Sequence, residues 1–135
     1  MNKISIIVPC YNEDAALPIY YKEMCKIMAQ MKEEEFELIF VDDGSTDHTL
    51  AEMKILHEKD ERCQYFSFSR NFGKEAAIYA GLKNATGEYA AIMDVDLQDP
   101  PSLLPKMYEI LQTEDYDSVA TRRSTRSGEP KIRSF

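Results

Sequence analysis

The sequence predicts an α/β fold: an open, doubly wound, mostly parallel sheet with helices on both faces. Three observations carry this expectation. Short apolar runs of strand length recur without clean alternation, the habit of strands covered on both faces. Helix-period patterns lie between them. Polar residues able to do chemistry gather where the runs end, and in open α/β sheets that is where ligands bind.

The strands are expected at Ile4 to Val8, Phe36 to Val41, Tyr65 to Phe68, Tyr89 to Met93 and, more weakly, Ser118 to Thr121. Leu17, Tyr20, Met24, Ile27, Met28 and Met31 repeat at three and four residues and mark the first helix; Leu50, Met53 and Leu56 mark a shorter second one. Glu75 to Ala85 is rich in alanine with Gly81 inside it, which predicts a helix packed closely on the sheet and ended by Thr86 and Gly87. Leu103, Leu104, Met107, Ile110 and Leu111 trace a fourth helix face. The resulting order is β-α-β-α-β-α-β-α-β, which right-handed crossovers wind into one sheet. The last fourteen residues show no apolar period and read as a loop. The expected organisation is therefore 1–121 as the ligand-binding part and 122–135 as a basic segment.

At 135 residues the chain is one domain's worth. Its net charge of −8 is unevenly placed. Residues 122 to 135 hold Arg122, Arg123, Arg126, Lys131 and Arg133 against Glu129, so this tail is +4 and the body −12. An acidic body argues against nucleic acid as a partner, which requires a basic face to displace phosphate counterions. Cys10, Cys25 and Cys63 have neither a disulfide-framework count nor zinc spacing, so they read as core fillers in a reducing, cytosolic setting. The apolar run before Pro9 is too short for a signal peptide or a membrane span, and the chain as given is not expected to enter a membrane.

Four strand ends carry the chemistry. After the first comes PCYNE, where Asn12 is a candidate helix cap, Tyr11 can stack on a flat base, and Glu13 can accept from a ribose hydroxyl or a base nitrogen. After the second comes VDDGSTD: Gly44 makes a turn, Ser45, Thr46 or Asp47 caps the next helix, and one of Asp42 and Asp43, which repel each other unless partnered, reads as a base reader. After the third comes SRNFGKEAA, where Arg70, Lys74 and helix amides suit a phosphate, although glycine is too sparse for a phosphate loop. After the fourth comes DVDLQDPP. In an extended chain Asp94 and Asp96 share a face, and two hard oxygen ligands side by side suit Mg²⁺ or Mn²⁺ escorting a phosphate-bearing substrate. Asp99, before Pro100 and Pro101, reads as a helix cap. His48 and His57 read as surface residues.

These four motifs in this order resemble the family 2 glycosyltransferases, with their Rossmann-like GT-A fold. The match is closest to the polyprenyl-phosphate glycosyltransferases, the group of dolichol-phosphate mannose synthase and the bactoprenol glucosyltransferases, toward which NFGKEAA and DLQDPP point. The resemblance covers almost the whole chain. It implies that Pro9, Tyr11 and Glu13 contact the nucleoside, with Val41 and Asp43 where the base is read. It further implies that Asp94, Val95, Asp96 and Gln98 hold the metal and the diphosphate, Asp94, Asp96 and Gln98 being metal ligands and Asp94 and Asp96 the catalytic carboxylates. Arg122 matches a family arginine that contacts the nucleotide sugar. Relatives continue past the equivalent of Phe135, so the chain is expected to be an N-terminal part of a catalytic domain.

The implied reaction is metal-dependent transfer of a hexose from a UDP- or GDP-linked sugar to a polyprenyl phosphate, at the inner face of the membrane and reached through downstream segments. A phosphate acceptor is largely dianionic at neutral pH, its second pKa lying near about 6. It hardly needs a base, in keeping with the lack of an obvious one, unless the base lies downstream. Arg123, Arg126 and Lys131 are candidates to clamp the acceptor phosphate or touch an anionic surface, with a disordered basic tail as the plainer reading. The same motifs would also suit a nucleotide-binding module without turnover, or a family 2 enzyme acting on a polysaccharide or other non-lipid acceptor. A receiver domain fits less well, because its acidic pair follows the first strand. A nucleotidyltransferase wants a glycine-rich basic loop near the N-terminus.

Overall fold

A computed structural model of the chain describes residues 2–98, 100–113, 119–121 and 132–134. It divides into two compact units, residues 1–98 and 99–135. In the first unit, strands β1 (Lys3–Cys10), β2 (Glu35–Asp42), β3 (Cys63–Ser67) and β4 (Tyr89–Ile92) alternate with helices α1 (Ala16–Gln30), α2 (Thr49–Lys59) and α3 (Lys74–Lys83). The second unit holds a short 3₁₀ turn, Pro101–Leu103, helix α4 (Leu104–Thr113), and strands β5 (Val119–Thr121) and β6 (Ile132–Ser134).

The four strands of the first unit form one parallel sheet in the order β3-β2-β1-β4. Each of the first three is laid beside its predecessor, moving outward in one direction; the fourth lands on the other side of β1. The strand order therefore reverses between β1 and β4, and in open α/β sheets such a switch point is where a ligand crevice lies at the carboxyl ends. β1 sits between two partners, and Ile4 to Cys10 are all buried, as are Phe36 to Asp42 of β2. This double cover explains why the apolar runs lack alternation.

Pro9 lies in this central strand without breaking a rung. Asp43 N donates to Cys10 O and Met93 N donates to Ile7 O, so Cys10 faces β2 and Ile7 faces β4. Alternation then turns Pro9 toward β4, beyond its last paired residue, Ile92 opposite Ile7. The missing N–H points where no ladder continues.

The helices bury the predicted faces: Leu17, Tyr20, Met24, Ile27 and Met28 in α1, and Met53 and Leu56 in α2. α3 approaches the sheet closely at Gly81, where a Cβ would lie 2.5 Å from Ile7 Cγ2. Ala77 of α3 packs with Ile39 and Val41, joined by Phe66, Phe68, Ala80 and Ala85. The helix ends at Asn84, before the expected Thr86 and Gly87. Those two residues instead turn the chain under the sheet. Gly87 N donates to Ser5 Oγ at 2.9 Å, and a Cβ on Gly87 would lie 2.5 Å from the carbonyl oxygen of Lys3.

The expected fifth strand pairs differently. β5 is antiparallel to β6, forming a two-stranded ladder of its own. β6 also falls within the stretch expected to be loop, because three residues are too few to show a period. Among the described residues no helix is long and apolar enough to cross a membrane.

One carboxylate is buried at the amino ends of the strands. Glu37 Oε2 accepts from Ser5 Oγ at 2.5 Å and from Thr86 N and Oγ1 at 2.6 and 2.9 Å, while Oε1 accepts from Gln64 Nε2 at 3.3 Å and has Lys3 Nζ at 3.8 Å. Burial is the largest single influence on its carboxyl and opposes ionisation; the hydrogen bonds from Ser5 and Thr86, aided by Lys3, outweigh it and leave the pKa lowered. A carboxyl more acidic in the folded state stabilises the fold above its ordinary value near 4.5, and that stabilisation is lost as the pH falls through the lowered value. Glu37→Gln is therefore expected to lower stability at pH 7 by about 1–3 kcal/mol, because it turns a donor toward donors. It is also expected to shallow the acid limb of stability below the ordinary carboxyl range; urea titrations at several pH values measure both effects.

Candidate ligand site at the carboxyl ends

The loops after β1 and β2 are laced together. Asn12 N donates to Ser45 Oγ at 2.9 Å, Thr46 N donates to Asn12 Oδ1 at 2.8 Å, and Glu13 N donates to Thr49 Oγ1 at 2.8 Å. Asn12 has φ +52°, a left-handed conformation that asparagine tolerates. It does not cap α1, as expected from sequence, because its side chain is spent on the neighbouring loop. The α1 amides of Ala16 and Leu17 go to the Glu13 carbonyl instead. Of the candidate caps for α2, Asp47 engages its first turn, accepting from Thr49 N at 2.9 Å and from Thr49 Oγ1 at 2.5 Å.

The adjacent pair Asp42 and Asp43 is partnered in two directions. Asp42 Oδ1 accepts from Ser45 N at 3.0 Å and Oδ2 from Ser67 Oγ at 2.9 Å. Asp43 reaches the loop before α3, accepting from Phe72 N at 2.8 Å and from Asn71 Nδ2 and Gly73 N at 3.1 Å each. Both are buried, so these bonds replace lost solvation as well as separating the two charges. Gly44 makes the crossing possible. Its φ is +72°, and a Cβ there would collide with the backbone of Arg70 and Asn71. Gly73, at φ +107°, opens α3.

At the β1–β4 crevice the carboxylates stand together. The chain leaves β4 after Ile92, turns at Val95 and Asp96 and bends at Leu97 and Gln98, with Leu97 at φ +62°. The aspartates follow the strand, as expected, but Asp96 lies in a turn rather than in the extended chain that was anticipated. Alternation of burial nevertheless persists from Met93 and Val95, buried, to Asp94 and Asp96, which face outward. Glu13 from the β1 loop has its carboxyl pushed up, first by burial and then by the charges of Asp96, Asp47 and Asp94. Lys74 Nζ stands 2.7 Å from Asp94 Oδ1. Gln98 N donates to Asp96 Oδ1 at 3.2 Å.

Among the described residues no three His, Cys, Asp or Glu side chains converge tightly enough to hold a metal by themselves. The donor set still fits a hard divalent cation. Asp94 and Asp96 would supply carboxylate oxygens and Gln98 an amide oxygen, and after burial it is the charges of Asp96, Asp47 and Asp94 that raise Glu13, a local excess of negative charge. Mg²⁺ in particular is commonly held by one or two carboxylates together with substrate phosphates.

Of the other residues singled out from sequence, Tyr11 is 46% exposed, free to offer a ring face. Pro9, Val41 and Val95 are buried, so what they offer a ligand comes from their backbone or the shape they impose. Arg122, Arg123, Arg126, Lys131 and the cap candidate Asp99 lie outside the described residues. Cys10 is buried, with burial and then Glu13 and Asp42 pushing its thiol far up, and Cys63 is pushed up to about 12 mainly by burial; neither suits a nucleophile. Sequence reasoning missed the Asn12–Thr46 lacing, the Asp43 clamp and the Lys74–Asp94 pair. The adjacent aspartates were the signal for the clamp, since they required partners that the local sequence does not contain.

Comparison with known proteins bears on this arrangement. The family described as Glycosyl transferase family 2 matches residues 5–134. Over 131 residues the chain is 41% identical to a prophage bactoprenol glucosyl transferase homolog of Escherichia coli (strain K12), covering 97% of this chain and 42% of that protein. It is 38% identical over 130 residues to the undecaprenyl-phosphate 4-deoxy-4-formamido-L-arabinose transferase of Proteus mirabilis, covering 93% of this chain and 38% of that one. The chain thus spans about two fifths of the length of these curated relatives. Among solved structures, a mannosyltransferase from Pyrobaculum calidifontis in complex with GDP-Man and Mn²⁺ aligns with a TM-score of 0.70 at 23% identity, covering 90% of this chain and 36% of that one. Glucosyl-3-phosphoglycerate synthase from Mycobacterium tuberculosis with UDP aligns with a TM-score of 0.66 at 23% identity, covering 92% and 46%. At these identities the structural likeness establishes the fold, which is GT-A.

The Asp43 clamp can be tested directly. Asp43→Asn turns an amide toward the N–H groups of Phe72 and Gly73 and is expected to lower stability by about 1–3 kcal/mol, read by urea unfolding. The matching change Asn71→Ala, which removes one donor and leaves the carboxylate with others, should lose less.

Proposed function

The chain belongs to the family 2 glycosyltransferases, and from that premise we propose that it forms the nucleotide-sugar half of an enzyme transferring a hexose from a UDP- or GDP-linked donor to a polyprenyl phosphate. The observation that carries the reading is the acidic corner at the switch point, where Glu13 on one side of the crevice feels Asp94 and Asp96 on the other. The names of the relatives, bactoprenol glucosyl transferase and undecaprenyl-phosphate arabinose transferase, support the lipid-phosphate acceptor.

In this reading Tyr11 stacks on the base and Glu13 accepts from the ribose. Pro9, Val41 and Asp43 shape the base pocket, Asp43 chiefly by fixing residues 71–73 with its carboxylate. Asp94, Asp96 and Gln98, with the Val95 backbone between them, hold a divalent cation, Mg²⁺ or Mn²⁺, which when bound supplies Lewis-acid stabilisation of the departing diphosphate. Asp94 and Asp96 are the carboxylates placed at the reacting bond. Arg122 contacts the nucleotide sugar, and Arg123, Arg126 and Lys131 take the acceptor phosphate. A cytoplasmic membrane face suits both substrates; each basic residue near an anionic surface contributes roughly 1 kcal/mol.

Calorimetric titration of the chain with UDP and with GDP, each with and without Mn²⁺, should show metal-dependent binding of one nucleotide, reduced at least about tenfold in Asp96→Asn. Equal affinity with and without metal, or an unaffected variant, would reject the site assignment. In a transfer-competent form, Arg123→Ala combined with Arg126→Ala should raise KM for the polyprenyl phosphate and leave nucleotide affinity unchanged; steady-state kinetics against lipid concentration decide this.

A further inference from the structure

Lys74 is the first residue of α3. A helix N-terminus carries partial positive charge and favours acidic side chains, so a lysine there is placed against the dipole. What holds it is Asp94: the ammonium lies 2.7 Å from Oδ1, with the lysine side chain 58% and the aspartate 29% exposed. Among the described residues this is the one ion pair made with Glu13, Asp94 or Asp96. The cation that answers the acidic corner therefore sits on an oxygen that a metal would use.

We propose that Lys74 is a placeholder cation that makes divalent-metal binding depend on nucleotide. The inference rests on the nucleotide-sugar reading above and gives Lys74, which that reading leaves without a role, a part in coupling metal to nucleotide. A metal arriving alone must break the Lys74–Asp94 pair and meet a nearby positive charge. A nucleoside diphosphate changes that balance, because it brings phosphate oxygens to which the flexible, half-exposed lysine can turn while the metal takes Asp94. Metal and nucleotide then bind cooperatively, and by linkage each raises the other's affinity by the same factor. A partly exposed ion pair is worth about 1 kcal/mol at most, so the metal-only penalty corresponds to about fivefold in affinity.

The test uses the 135-residue chain and Mn²⁺ as probe, with free Mn²⁺ read by electron paramagnetic resonance, in the absence and presence of UDP or GDP. Lys74→Met and Lys74→Gln are compared with the parent and with Lys83→Met, which removes one positive charge from the far end of the same helix. Without nucleotide, both Lys74 variants should bind Mn²⁺ tighter than the parent and Lys83→Met, by up to about fivefold. With nucleotide the advantage should vanish, so the nucleotide-induced gain in Mn²⁺ affinity shrinks. If the parent binds Mn²⁺ with nucleotide but the Lys74 variants are no tighter without it, the placeholder role is overturned and the site reading stands. Equal tightening by Lys83→Met reduces the effect to net charge and also overturns it. A parent that takes up no Mn²⁺ even with nucleotide overturns the site reading, and this inference with it.

Discussion

The arrangement depends on one constraint: β1 is paired on both edges and buried along Ile4 to Cys10. A strand so placed must be largely apolar, with a buried polar side chain such as Ser5 fully hydrogen-bonded, must accept a closely packed helix, and must send its other polar residues out at its end. Each demand is visible. Gly81 lets α3 approach Ile7, Pro9 falls where a donor is not needed, and Tyr11 to Glu13 emerge at the crevice where β4 also ends. Because β4 joins the sheet beside β1, residues more than eighty positions apart in sequence share one electrostatic field.

The carboxylates in and around the sheet are handled in two ways. Glu37, Asp42 and Asp43 are surrounded by hydroxyl, amide and backbone donors, which stabilise charge without leaving it available to a ligand. Glu13 stands near Asp94 and Asp96, and its carboxyl is pushed up first by burial and then by the charges of Asp96, Asp47 and Asp94. The first group holds loops together. The second gathers negative charge that Lys74 answers only at Asp94, which is the physical difference between these carboxylates and the structural ones.

Much of the fold was legible in the sequence because burial leaves periodic traces. The first four strands and all four helices fall within a few residues of where the apolar patterns place them. Most of the departures arise where the deciding partner lies elsewhere in the chain. Asn12 looked like a helix cap because capping is local, yet Thr46 claims its oxygen. Asp94 and Asp96 looked extended because an apolar run precedes them, yet the strand ends at Ile92 and the chain turns. β5 looked like one more member of the sheet, but its partner is β6, too short to announce itself.

By itself the sequence determined the alternation of strands and helices, the polar strand ends and the types of residue gathered there, since hydrophobic period and turn chemistry are local properties. The motifs in order were also enough to indicate the family. Only the tertiary structure decided which strand ends meet. The order β3-β2-β1-β4 sets Glu13 against Asp94 and Asp96, ties Asp43 to the loop of Gly73, and brings Lys74 onto Asp94. Pairing between parallel strands is specified by packing across the whole sheet, and no single segment carries that information.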